Sequence, residues 1–128
     1  MSIELIGYLI VVGFLVLVAF QSAIVLGAPV GRAAWGGRNP GRLPRELRIA
    51  SAVAVVIYLI ACLIVLDRAG VPLVDLPDGV SFWGTWAIGV LLAIGAVMNF
   101  ASSSRYERFG WAPFAAVLTA LALLLAVN

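Results

Sequence analysis

The side chains available for chemistry are few. Among 128 residues there is no histidine and no lysine; the ionisable side chains are eight arginines, six carboxylates, three tyrosines and the single cysteine Cys62. The commonest general base, the commonest metal ligand and any Schiff-base amine are therefore missing, so enzymatic readings lose their support. The expectation is a protein with no catalytic residue, no metal and no cofactor. One cysteine cannot close an intrachain disulfide, and Cys62 lies in an apolar run where it reads as a small core filler. Glu4, Glu46, Asp67, Asp75, Asp78 and Glu107 all fall at the edges of apolar segments, so none resembles the embedded acid that proton-coupled transport requires. Asp75 and Asp78, in "DLPDG", read as a solvated turn rather than a cation site.

Two groups of residues remain as candidate sites. Gln21, Ser22 and Asn99 lie inside long apolar runs, and an amide in hydrocarbon is costly unless it finds a partner. They read either as hydrogen-bonding groups between or at the ends of helices, or as contacts in a polar vestibule. The second group is the stretch "GAPVGRAAWGGRNPGRLPRELRIAS", residues 27–51, which holds five of the eight arginines. Trp35, Arg38, Arg42, Arg45 and Arg48 are candidate contacts for an anion or for lipid headgroups, the latter worth about 1 kcal/mol per arginine near an anionic surface. Within it, "WGGRNPG" sets flexible glycines beside a guanidinium, an arrangement that lets backbone amides and Arg38 converge on a phosphate or a carboxylate. There is no "GxxxxGK" and no following strand, so nucleotide binding is unsupported, and no nucleic-acid partner is expected.

The elements that must carry these residues are read from composition and run length. With 64% hydrophobic and 11% charged residues, a chain of this size cannot cover itself with a water-compatible surface. A membrane helix needs roughly 20 apolar residues to cross about 30 Å of hydrocarbon. Residues 3–27, 48–67, 82–101 and 110–127 meet that length, which predicts an all-α, single-domain bundle of four transmembrane helices. The first run has no basic leader and is long for a signal sequence, so it reads as a retained span. Arginines crowd the first and third connections, and basic loops resist translocation; these loops are expected in the cytoplasm and both termini outside.

Local signals place the boundaries. Gly27, Ala28 and Pro29 close the first span, Pro44 opens the second as its first helical residue, and Ser81 caps the third. Ser104 and Glu107 have the spacing of a capping box, but Pro113 would then fall inside the helix. The expectation is therefore a short turn at 105–109 and a span starting near Trp111. Small residues at four-residue spacing mark contact faces: Thr85, Gly89 and Ala93 on the third span, Ala112, Ala116 and Ala120 on the fourth. Each half of the chain runs out-to-in, through a basic loop, and back, which would make the halves parallel repeats.

The motifs "LGAP", "WGGR", "LP", "RIAS", "MN", a serine cluster and "ER" give the whole chain a resemblance to small, uncharacterised four-span membrane proteins of bacteria. The resemblance implies a four-helix bundle in the bacterial inner membrane and attaches no activity to it. Four spans at this length are also seen in small multidrug transporters and fluoride channels. The embedded glutamate of the first has no counterpart here, and the arginine bias contradicts the dual insertion of the second. The function expected is a structural or accessory component with a basic cytoplasmic face that contacts the bilayer, anionic headgroups and a membrane partner or a second copy. The alternative is a small channel or carrier whose polar path runs past Gln21 and Asn99.

Overall fold

The computed structural model describes all 128 residues and is entirely helical. Helices α1 (Ile3–Val25), α2 (Arg45–Arg68), α3 (Val80–Ala101) and α4 (Glu107–Val127) are each long and apolar enough to cross a membrane. They run antiparallel as two tight hairpins, α1 with α2 and α3 with α4, that pack side by side so that α2 meets α3 and α1 meets α4. One end of the bundle carries both termini and the 69–79 connection. The other carries the 26–44 and 102–106 connections and all arginines except Arg68, and is called the basic end below.

Helix ends follow local chemistry. α1 stops at Leu26 because Gly27 adopts φ +92°, and the amides of Gly27 and Ala28 turn back onto the carbonyls of Ile24 and Ala23. This pair of reversed bonds satisfies carbonyls that would otherwise be orphaned at the end of the helix. Gly70 and Val71 repeat the device on Asp67 and Leu66 at the end of α2. Pro44 is the residue before α2 rather than its first residue, its ψ of 160° still being extended. Gly79, not Ser81, holds the cap position of α3, and the carbonyl of Ser81 instead accepts the Thr85 hydroxyl.

The expected turn at 105–109 is absent. Helical backbone begins at Arg105, and the Ser104 hydroxyl and carbonyl accept from the amides of Glu107 and Arg108, so the serine caps a continuous helix. Pro113 is tolerated because Glu107–Trp111 form a π turn in which the amide of Ala112 reaches the carbonyl of Glu107 five residues back. The wider turn shifts the ladder just before the residue that has no donor to offer it.

The half of the bundle nearer the termini is filled. Ile6, Ile10, Phe14, Val65, Ile88, Leu118, Ala122 and Leu125 belong to one buried cluster that includes Cys62. Gly7 admits Ala69 against α1, and Gly89 admits Leu123 against α3. Thr85 and Gly89 are buried contact residues, as expected, whereas Ala93 is only half-buried and the row continues through Leu92 and Ala96. The contact row of α4 is Ala112, Ala115, Leu118, Ala122 and Leu125, not Ala112, Ala116 and Ala120; Ala120 is exposed. Mixed steps of three and four keep a row facing the same neighbours, whereas repeated steps of four drift around the helix.

Candidate functional site at the basic end

The 26–44 connection is folded. Ala34 and Leu43 are buried against Ile24 with Phe20 and Leu47, and the amide of Gly31 donates to the carbonyl of Gly41 at 2.9 Å. Its tip is held in left-handed backbone over three successive residues, Trp35 at φ +50°, Gly36 at +84° and Gly37 at +70°. For the two glycines this costs little, but a left-handed tryptophan costs about 1–2 kcal/mol. The offset is a hydrogen bond from the Trp35 indole Nε1 to Oγ of the fully buried Ser51, at 3.0 Å.

This tip lies on the third connection. The Ser104 hydroxyl donates to the carbonyl of Arg32 at 2.5 Å, and that of Ser103 to the carbonyl of Gly36 at 3.5 Å. The amide of Gly36 donates to Glu107 Oε1 at 3.1 Å, while the other carboxylate oxygen accepts from the Ser102 hydroxyl. Glu107 is only 7% exposed, so one of the six acids is buried after all, projecting from the π turn of α4. The anion held by the "WGGR" tip, through the Gly36 amide, is therefore the protein's own carboxylate. Arg38 bends back beside Gly36, where a Cβ would lie 3.8 Å from its Nε.

Above this contact, toward the middle of the bundle, is a cavity of about 860 Å³. All four helices line it, and its base is made by the 33–38 and 102–107 segments. Gln21 of α1 and Asn99 of α3 both face it, and Trp35, Arg38, Ser102, Ser103 and Glu107 join them at the basic end. The wall is otherwise apolar and aromatic. Phe20 stacks on Trp111 at 4.6 Å between ring centres, Trp111 meets Phe114 edge-on at 5.7 Å, and Phe14 meets Tyr58 at 5.5 Å. Oε1 of Gln21 is buried without a hydrogen-bond partner. The two amides do not close a bond across the bundle; they border a void.

Of the other residues singled out in the sequence, Ser22 is half-buried and its carbonyl serves the end of α1, outside the cavity. Arg48 is spent internally, its Nε and Nη2 forking onto the carbonyl of Val25 at 3.1 and 2.7 Å. Arg108 forks in the same way onto the carbonyl of Ser102. Each return helix thus sends one arginine to the carbonyl end of the helix before it, where a cation is favoured by the helix dipole. Arg42 lies beside Gly27, and Arg45 is exposed at the start of α2. The cavity accordingly gathers Gln21, Asn99, Trp35 and Arg38, and leaves Ser22, Arg42, Arg45 and Arg48 outside.

Three participants, Glu107, Ser102 and Ser51, carry no site signal in the sequence. The capping-box spacing of Ser104 and Glu107 was the available signal, but it points the carboxylate at its own helix end, whereas the structure sends it across 71 positions to Gly36. Compared with protein-family models, curated proteins and solved structures, the chain matches none. The likeness to small four-span membrane proteins holds at the level of four helices apolar enough to span a bilayer.

Proposed function

We propose that this chain is a multi-pass protein of the bacterial inner membrane, with both termini outside and the basic end in the cytoplasm, that binds and carries a small molecule in the cavity between its helices. It does so without enzymatic chemistry, in keeping with the absence of histidine and lysine. One observation carries this reading: a cavity of about 860 Å³, within the size range of small-molecule sites, in which both intramembrane amides and Arg38 are available to a guest. An amide kept at membrane depth beside a void is a cost with no structural return unless something binds there. The packed cluster around Ile10, Phe14, Leu118 and Leu125 fills the half beyond the cavity, which favours a carrier or binder over an open channel.

Binding is tested by titrating the protein in nanodiscs with the apolar fluorophore N-phenyl-1-naphthylamine, using energy transfer from the four tryptophans, of which Trp35 and Trp111 line the cavity. We expect saturable transfer that Gly95→Phe weakens, because Gly95 lines the cavity at its opening and a Cβ there meets nothing within 4 Å, so a phenyl ring can be set across it. Unsaturable transfer that is the same in both proteins rejects the reading. Orientation is tested with single cysteines at positions 38 and 75 in a Cys62→Ala background. An impermeant maleimide should label only position 75 from outside, and labelling of 38 alone inverts the arrangement.

A second reading, a structural or accessory component, is favoured by the exposed Arg32, Arg42 and Arg45, which suit anionic headgroups at the basic face. A membrane partner or a second copy would then cover the exposed helix faces.

A further inference from the structure

The cavity has an opening on a side of the bundle that faces hydrocarbon, and its basic end carries the exposed Trp35, Arg38 and Ser103. Between α1 and α4 the wall is shut by Gly13 against Leu118 and by Phe20 on Trp111. Between α2 and α3 the helices touch near the termini, where a Cβ on Gly84 would lie 2.8 Å from Ile64 Cγ2. Nearer the basic end they part. Leu91 and Met98 line the cavity while remaining 59% and 67% exposed, Ile57 across from them is 47% exposed, and Gly95 between them has open space on its side-chain face. A guest using this side comes from the lipid phase and sets an apolar body among Leu17, Ile57, Leu91 and Leu92.

The polar end of the cavity specifies the rest of the guest. Both oxygens of Glu107 already accept hydrogen bonds from Gly36 and Ser102, so the resident carboxylate is engaged. Arg38 is exposed, lines the cavity and retains unspent charge and donors, and Asn99 and Gln21 face the same space. Arg32, Arg42, Arg45 and Arg105 add positive charge around this end. A site whose free groups include a guanidinium, two amides and the Tyr58 hydroxyl favours an anion that can accept several hydrogen bonds.

We infer that the cavity takes a membrane-borne amphiphile with an anionic head, entering between α2 and α3, with its carboxylate or phosphate on Arg38 and its chain in the aromatic and aliphatic chamber. This rests on the binding reading above and adds the class of guest and its route.

The test is displacement of N-phenyl-1-naphthylamine in zwitterionic nanodiscs by tetradecanoic acid, tetradecyl phosphate, tetradecanol and tetradecyltrimethylammonium, with inorganic phosphate alone as a fifth arm. Each amphiphile is compared between the wild type and Arg38→Gln, since partition into the bilayer is common to both. We expect the two anions to lose roughly tenfold in displacing strength in Arg38→Gln, and the alcohol and ammonium to change little. The stronger of the two anions identifies the head as carboxylate or phosphate. Equal or stronger displacement by the ammonium, an Arg38→Gln protein that keeps the anion preference, or displacement by inorganic phosphate alone overturns the inference while leaving the cavity a binding site. Absence of saturable fluorophore binding overturns both.

Discussion

Replacing Glu107 by leucine isolates the contact that joins the two basic connections. The carboxylate accepts from the Gly36 amide and the Ser102 hydroxyl, and both donors are half-buried. Leucine leaves both without that acceptor. A donor stranded in a dry interior costs about 1–3 kcal/mol, and partial access to water puts each loss near the lower bound, for a total of about 2 kcal/mol. Removing a buried charge gives some of this back, because the carboxylate no longer has to be held out of water. Glutamine keeps an acceptor for Gly36 and a polar partner for Ser102, so its cost should be about 1 kcal/mol or less. The assay is unfolding by sodium dodecyl sulfate in mixed micelles, followed by far-ultraviolet circular dichroism and by tryptophan fluorescence. Ser102→Ala completes a double-mutant cycle and should cost about 1 kcal/mol more in the wild type than in Glu107→Leu, where only the bond from the Ser104 amide to the Ser102 hydroxyl is left to lose. If Glu107→Leu is as stable as the wild type or more so, desolvation of the carboxylate outweighs its hydrogen bonds. The view of Glu107 as the anchor of the "WGGR" tip is then wrong.

Two further outcomes follow from the packing. A Cβ at Gly13 would fall inside contact distance of both methyl groups of Leu118. Gly13→Val should therefore destabilise by about 1–3 kcal/mol in the wild type and by much less in a Leu118→Ala background; additive losses in the same unfolding assay would separate the two residues. Arg48→Ala should cost about 1–2 kcal/mol by uncapping the Val25 carbonyl, and Arg48→Lys should recover only part of it because an ammonium lacks the planar fork. Full recovery with lysine would mean that only charge matters there.

The chain's own order of residues determined the parts that depend on neighbours in sequence. Four runs of about 20 apolar residues become helices because a backbone in a bilayer must satisfy its own hydrogen bonds, and that requirement reads directly from length and composition. The end of α1 at Gly27 was legible for a similar reason, since a left-handed glycine closes a helix whatever surrounds it. At the third connection two local signals conflict: Pro113 argues for a break, Ser104 for a helix start, and only the π turn allows both. What tertiary structure alone decided is the site. Gln21 and Asn99 could be named as polar groups out of place, but whether they would meet or border a void depends on how closely four helices approach one another. That distance is set by side chains from the whole bundle, including Gly13 against Leu118 and the parting of α2 from α3 at Gly95. Likewise "WGGR" announced an anion-holding loop, and the identity of its anion came from a residue 71 positions away, brought there by the packing of one hairpin against the other. Local sequence encodes torsional preference and hydrophobicity; a cavity and a cross-chain hydrogen bond are properties of the space between segments, which no single segment contains.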